Sequence, residues 1–344
     1  MVLAQVPIFR ISLSILSGSE AVESGAFSYM NYRIWGAPAA LATYAMMGAF
    51  IGLGHSRTLL FVQVTLNALN IALDILLAGH FKMGVAGIGL GTMVSEWVAF
   101  ALALGLTIRA LRRRSCGKEP MGFWSNLWDA SALMRMVGLN LNIMIRTLCL
   151  LFGFGWFTQQ GALLGDTALA ANHILLQYIS FSAFFLDGFA YATEAFAGVA
   201  AGAKNSHVFK LVVRRTGIVA ACGALALSLA FFVFGATIGQ WLTDLETVLE
   251  TLEILLPFAC VYILVSFATF QLDALFIGLT RTRDMRNAGF ASLALFLAVS
   301  LPMTNSWGSQ GLWLSFIAFV LARSFSLGVL YPRAVGSIER EVSN

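Results

Sequence analysis

The stretch Thr65-Leu-Asn-Ala-Leu-Asn-Ile-Ala-Leu-Asp74 lies in the middle of an apolar run, residues 57–79, that is long enough to cross a bilayer. At about 100° of helical rotation per residue, Asn67, Asn70 and Asp74 fall within a sector of roughly 60°. The run therefore predicts a spanning helix with a single polar stripe.

The carboxylate of Asp74 limits where this helix can lie. A carboxylate near the centre of a spanning helix costs about 2.5 to 3.5 kcal/mol on the translocon scale, so the stripe should face a protein interior or a water-filled cavity rather than lipid. One interpretation is a hydrogen-bonded packing group between helices. The other is a proton or ion site.

Composition predicts a membrane protein. Charged residues make up 11% of the 344 residues and apolar residues 59%, whereas ordinary soluble domains are about 25% charged. The mean hydropathy is +0.82. Because only helices and closed barrels satisfy the backbone in lipid, and because the apolar runs have helical lengths, we predict an all-α polytopic membrane protein.

Residue spacing gives no support for catalytic or metal chemistry. The four cysteines show no CxxC spacing and the four histidines no HxxxH pair. The sequence also lacks an HExxH motif, a phosphate-cradling glycine-rich loop and a nucleophile with its base. We therefore expect a chain that is not an enzyme, with no catalytic residue, no metal and no cofactor.

Apolar runs follow one another along the chain. Spans are predicted at residues 27–54, 57–79, 84–109, 135–163, 168–203, 208–240, 252–280, 286–305 and 309–332. A shorter run at 2–17 is interpreted as the end of a further spanning helix rather than a signal peptide, because Arg10 interrupts its apolar part.

The charges of the connections predict the orientation. Lys and Arg concentrate in one set of connections, around Arg57 and residues 109–118, 204–210 and 281–286, while the alternate set is acidic. By the positive-inside rule the basic set is cytoplasmic, which places both termini inside the cell. The net charge of +4 then reflects cytoplasmic loops rather than nucleic-acid binding.

Two short motifs recur in register. Phe50-Ile-Gly-Leu53 returns as Phe276-Ile-Gly-Leu279 at an offset of 226, and Gly84-x-x-Gly87-x-x-Leu90 returns as Gly308-x-x-Gly311-x-x-Leu314 at an offset of 224. An even number of spans separates the copies, so they run in the same direction as parallel repeats. A complete repeat would need about two more helices before residue 1.

The repeat suggests domain limits. An incomplete N-terminal lobe takes residues 1–109, a cytoplasmic linker 110–130, a C-terminal lobe 131–334 and a cytoplasmic tail 335–344.

The repeat also bears on the polar stripe. At the offset of 226, the stripe corresponds to Leu293, Phe296 and Ser300, so the second copy packs without it. An architectural requirement would recur in both copies, and the difference favours a functional role for Asp74.

Other spans carry ionisable groups. Asp187, Tyr191 and Glu194 lie on one face of span 168–203, which predicts a polar cavity in the C-terminal lobe. The alternative is that Glu194 lies near the cytoplasmic end of the span and is simply exposed to water.

Three further charged residues belong to the same group. Asp273 and Glu96 are intramembrane carboxylates, and Arg146 lies inside span 135–163. A buried arginine stays charged and demands an acidic partner, which the sequence does not identify.

Four segments together resemble a known family. Residues 65–74, 166–175, 186–195 and 272–287 resemble the multidrug and toxic compound extrusion (MATE) transporters, in their DinF-like branch, and the similarity covers nearly the whole chain. The resemblance implies a MATE-like two-lobe bundle of twelve helices with parallel pseudo-twofold repeats. This chain would correspond to the end of helix 3 through helix 12.

The resemblance also implies a function and a site. MATE transporters export organic, often cationic, compounds in exchange for H⁺ or Na⁺ by alternating access. Their N-lobe cation site suggests Asn70 and Asp74 on helix 5, Thr92 on helix 6 and Tyr29 on helix 4, while the helix-1 acid has no counterpart here. In the C-lobe, Asp273 is similar to a helix-10 acid of another branch.

These implications define the expected partners. We expect small organic substrates and membrane lipids as partners, no nucleic acid, a monomer, and a multi-pass protein of the inner (plasma) membrane. A flippase for lipid-linked precursors and a truncated, non-transporting membrane remnant are the alternatives.

Overall fold

The computed structural model describes residues 20–114 and 129–343, and these are almost entirely helical, without a strand. The helices are α1 (Glu20–Arg33), α2 (Ala37–Gly52), α3 (Ser56–Asp74), α4 (Gly84–Arg114), α5 (Ala130–Leu163), α6 (Asp166–Gly202), α7 (Ser206–Leu242), α8 (Glu246–Gly278) and α9 (Thr282–Ser343). A 3₁₀ turn, Ile34–Gly36, joins α1 to α2, and a π-helical turn, Ile75–His80, continues α3.

The described helices confirm the predicted fold class. When α1 is counted with α2, and α3 with its π-helical turn, the described residues contain eight helices. All eight are long and apolar enough to cross a membrane. The predicted partial helix at 2–17 and most of the predicted linker at 110–130 lie outside the described residues.

Helix α9 contains both of the last two predicted spans. Its 62 residues would extend about 93 Å if straight, against a hydrocarbon core of about 30 Å. Gly308 breaks it with φ 57° and ψ −135°, a conformation that L side chains rarely adopt. A Cβ added at Gly311 would clash with the carbonyl oxygen of Met303 and lie 3.1 Å from the backbone nitrogen of Thr304. The chain therefore reverses at Gly308.

The two copies of the first repeat motif end their helices in the same way. The carbonyl oxygen of Phe50 accepts a hydrogen bond from the backbone N–H five residues later at 2.8 Å, and that of Phe276 does so at 2.8 Å. Gly54 and Thr280, at equivalent positions, have φ values of 70° and 56°. Helix α6 ends with a similar bond, so this type of helix ending is not specific to the repeat. The repeat is supported by the nearly equal offsets of the two motifs along the sequence.

The second motif repeats a reversal. Gly84 and Gly308 both have φ of 57°. A Cβ at Gly87 would lie 2.9 Å from backbone atoms of the preceding helix, as one at Gly311 would also meet preceding backbone. Both copies therefore use glycine to bring one helix close against its predecessor.

The chain divides into two compact units, residues 1–127 and 128–344. In the N-terminal unit, α4 is the central helix and packs against α1, α2 and α3. A small buried core of Phe50, Val62 and neighbouring alanines joins α2, α3 and α4. The lobe limits given by the sequence analysis stay predictions.

In the C-terminal unit, α8 packs against α6, α7 and α9, and α9 also packs against α5. Its core is aromatic: the rings of Phe157 and Phe316 stack with centroids 4.5 Å apart, and Tyr262 stacks on Phe316 at 4.7 Å. This core forms one side of the cavity described below.

The reversal at Gly308 generates a stability prediction. Gly311→Ala should lower the free energy of unfolding by about 1–3 kcal/mol, because the new methyl group would meet backbone atoms that cannot move without opening the reversal. Thermal unfolding in detergent measures the change. Gly328→Ala is the control, since a Cβ there meets nothing within 4 Å, and it should leave stability unchanged or raise it by about 0.5–1 kcal/mol. Equal effects of the two substitutions would contradict the tight reversal.

Candidate functional site

The polar stripe of α3 meets α4 within the N-terminal unit. The amide Nδ2 of Asn70 donates to Asp74 Oδ1 at 3.4 Å, a long hydrogen bond, and to Thr92 Oγ1 at 3.2 Å. The hydroxyl of Thr92 donates in turn to the carbonyl oxygen of Ile88 at 2.8 Å. Asn70 therefore links the carboxylate of α3 to the hydroxyl of α4.

The absence of a side chain at Gly91 gives Asp74 its position. A Cβ added at Gly91 would lie 2.5 Å from Asp74 Oδ1, so the carboxylate rests directly on the backbone of α4. The π-helical turn begins at the next residue, Ile75, and such turns occur frequently at functional sites.

Asp74 differs from two other acids of the spanning helices in having no cationic partner. In residues 20–114 and 129–343, no Lys, Arg or His forms an ion pair with Asp74, whereas Glu96 pairs with Arg33 at 2.6 Å and Asp273 pairs with arginine. A carboxylate without a fixed counter-charge can take up a proton or a hard cation, which prefers oxygen ligands.

Asn67 and Tyr29, also expected at this site, are not hydrogen-bonded to it. Asn67 is exposed. The backbone carbonyl of Tyr29 packs against α4, where a Cβ at Gly89 would lie 2.6 Å from its oxygen. The structure thus joins Asp74, Asn70 and Thr92, and leaves the other two side chains outside the network.

In the C-terminal unit, a single carboxylate holds two guanidinium groups. Arg146 of α5 donates to Asp273 Oδ2, on α8, and Nη2 of Arg323, on α9, donates to the same oxygen at 2.6 Å. Asp273 and Arg323 are buried. All three line a cavity of about 150 Å³. Asp273 is therefore the partner that Arg146 requires.

The other three residues expected in the C-terminal cavity do not line it. Asp187 is close enough to Arg146 and Asp273 to interact electrostatically with both. Tyr191 is exposed, and Glu194 is half-buried with its backbone carbonyl against Gly278. The three residues share one face of the continuous helix α6. Of the three, however, only Asp187 comes near the arginines.

Sequence reasoning missed Arg323 and Arg33, the cations that partner Asp273 and Glu96. Each lies within an apolar run, span 309–332 for Arg323 and span 27–54 for Arg33. A search for isolated basic residues inside predicted spans would have found both.

Comparison with known proteins gives the family. The MatE family model matches residues 143–304. The chain is 33% identical over 336 residues to DNA damage-inducible protein F of Escherichia coli (strain K12), which covers 96% of this chain and 71% of that protein. The chain belongs to the MATE family. MATE proteins are transporters rather than enzymes, as the sequence predicts.

More distant relatives support the fold of this MATE chain. It is 25% identical over 303 residues to Protein DETOXIFICATION 43 of Arabidopsis thaliana, covering 88% of the chain and 56% of that protein. The crystal structure of the Vibrio cholerae MATE transporter VcmN in the bent form matches with a TM-score of 0.84 at 16% identity, over 98% of this chain and 76% of that one.

A further structure, an outward-facing multidrug resistance MATE family transporter of the MOP superfamily, matches with a TM-score of 0.83 at 14% identity, over 98% of this chain and 76% of that one. At such low identity these matches establish the fold alone. They confirm the MATE-like architecture expected from the sequence.

The shared carboxylate of this MATE chain predicts a ranking of stabilities. Asp273→Asn should lower the free energy of unfolding by about 3–5 kcal/mol, because it leaves the buried guanidinium group of Arg323 and the partly buried one of Arg146 without a counter-ion. Arg323→Met should cost less, since the pair of Arg146 with Asp273 remains balanced. Melting temperatures in detergent test the ranking, and a larger loss for Arg323→Met would refute it.

Proposed function

We propose that the protein is an efflux antiporter that exports small organic, often cationic, compounds in exchange for H⁺ or Na⁺. It works as a multi-pass protein of the inner (plasma) membrane, with both termini cytoplasmic. Membership of the MATE family supports export, and the loop charges support the orientation.

The arrangement around Asp74 carries the proposal. This carboxylate lies in a spanning helix, hydrogen-bonded to the neutral side chain of Asn70 and without an ion pair in the described part of the chain. Asp187 and Glu194 also lack an ion pair there, but neither hydrogen-bonds to another side chain. Asp74 thus combines an unopposed charge with polar groups that can hold a proton or a cation.

Binding of a cation at Asp74 changes the cost of burying this face of α3. A neutralised carboxylate is less costly to remove from water than an ionised one. Conformations that bury and expose the site therefore differ in their affinity for the coupling ion, and such a difference is what a ligand needs to shift a conformational equilibrium. Each charge that crosses 100 mV supplies about 2.3 kcal/mol, enough for a concentration ratio of roughly fifty.

Asp273, the paired acid of the C-terminal unit, is less suited to coupling. The charge of Asp273 is opposed by two arginines, so a cation approaching it would meet repulsion from both. This comparison favours Asp74, Asn70 and Thr92 as the coupling group.

Asp74→Asn should abolish gradient-driven efflux, because the amide takes up neither a proton nor a cation charge. The measurement is dye efflux from vesicles that contain the purified chain, with a pH gradient, a Na⁺ gradient or neither, and the gradient that supports efflux identifies the coupling ion. Asp166→Asn, an exposed acid at the start of α6, is the matched control and should retain efflux. Unchanged efflux in Asp74→Asn would exclude the coupling role.

Gly91→Ala tests the same group without removing a charge. The added Cβ would displace the carboxylate of Asp74 from α4, so the coupling-ion concentration for half-maximal efflux should rise about tenfold, or about 1.4 kcal/mol. Gly105→Ala, on the same helix and with nothing within 4 Å of its Cβ, should leave it unchanged. Equal ion dependence in the two variants would show that the position of the carboxylate is unimportant.

A further inference from the structure

The cavity in the C-terminal unit has apolar walls around three charged groups. Its volume of about 150 Å³ is lined mainly by aromatic and aliphatic side chains. These include Leu150, Phe154, Ile179, Leu186, Ile263 and Phe319. The charged groups are Arg146, Asp273 and Arg323, and the ring of Tyr262 also lines the space.

The two guanidinium groups have more donors than the cavity satisfies. Each carries five N–H donors, yet its contact with Asp273 Oδ2 is the only hydrogen bond that it makes in the described part of the chain. The Nε atoms of Arg146 and Arg323 are buried without a partner. Unsatisfied buried donors are costly, so an additional acceptor would be stabilising here.

Both arginines donate to the same oxygen of the Asp273 carboxylate, Oδ2. The other oxygen, Oδ1, is buried without a hydrogen-bond partner. Arginine and carboxylate often form two parallel hydrogen bonds, which neither pair does here. The arrangement therefore leaves a side of each guanidinium group available to a second carboxylate.

The charges lining the cavity do not balance. Two arginines face one carboxylate, which leaves one positive charge in excess. Asp187 is the nearby acid that interacts electrostatically with Arg146 and Asp273, but it does not line the cavity and hydrogen-bonds to neither arginine. An excess buried charge costs free energy unless it is paired, and an anionic ligand would pair it.

The volume limits the size of that ligand. A cavity of about 150 Å³ holds a molecule the size of benzene. We propose that this cavity binds a small aromatic monocarboxylate of the size of benzoate. Its carboxylate contacts Arg146 and Arg323, its ring lies among Phe154 and Phe319, and the hydroxyl of Tyr262, which makes no hydrogen bond in the described residues, is a further donor.

Benzoate is the direct probe. Isothermal titration calorimetry of the purified full chain, in a neutral detergent and a chloride-free buffer, should show binding of benzoate. Benzyl alcohol and benzylamine, which keep the ring without the negative charge, should bind at least tenfold more weakly. Equal binding of the three compounds, or no binding of benzoate, would overturn the proposal.

A charge-neutral variant locates the site. Arg323→Gln should lower the affinity for benzoate at least tenfold. Lys210→Gln removes an exposed cation of α7 that does not line the cavity, and should leave the affinity unchanged. An Arg323→Gln protein that binds benzoate as tightly as the Lys210→Gln control would place the ligand elsewhere and refute the site.

Asp273→Asn separates a ligand site from a merely structural triad. Without the internal carboxylate, both arginines are free for the ligand, so benzoate should bind at least tenfold more tightly and restore part of the lost melting temperature. Asp187→Asn, which removes a negative charge acting on Arg146, should raise the affinity a few-fold and serves if Asp273→Asn does not fold. No gain in either variant would contradict the proposal.

The binding measurement is independent of transport. Asp74→Asn leaves the C-terminal cavity intact and should bind benzoate as the unchanged chain does. A failure of antiport would therefore leave this site standing, and a failure of benzoate binding would leave antiport standing.

Discussion

A carboxylate inside a spanning helix is costly unless its charge is offset, and this constraint shapes the surroundings of Glu96, Asp273 and Asp74. Glu96 and Asp273 satisfy it with arginines from neighbouring helices. Asp74 has a neutral hydrogen-bonding neighbour, Asn70, instead. The first two acids tie helices together, while for the third we propose a counter-ion from outside the protein. Packing and proposed function thus follow from the same electrostatic requirement.

The repeat shows how one helical plan accommodates both solutions. Equivalent turns at Gly84 and Gly308 have the same φ, yet the helix before each turn differs in content. The position that corresponds to Asn70 is Phe296, fully buried against Phe316 and Phe319. The second copy replaces a polar stripe with an aromatic core, and its charges lie on α5, on α8 and on the part of α9 that follows Gly308.

Features that are local in sequence were predictable, and features that depend on neighbours were not. The spans, the recurring turns and the stripe at Asn70 and Asp74 follow from hydropathy and helical period. The group formed by Arg146, Asp273 and Arg323 was not predictable in this way. Its arginines lie 127 and 50 residues from the aspartate along the sequence. Periodicity put Tyr191 on the same face of α6 as Asp187, but a face does not identify the helix that meets it, and Tyr191 is exposed.

Within the described residues, each unit leaves a charge without a full partner, and the sign of that charge is negative in the N-terminal unit and positive in the C-terminal unit. The N-terminal unit keeps a carboxylate without a fixed cation, and the cavity of the C-terminal unit keeps more guanidinium charge than Asp273 can balance. Departures of this kind are expected at functional sites, where the missing partner arrives as a ligand. A site built to handle cations alone would not keep an excess of positive charge, which repels them. The excess charge at Arg146 and Arg323 therefore argues for an acidic group among the compounds that the protein binds.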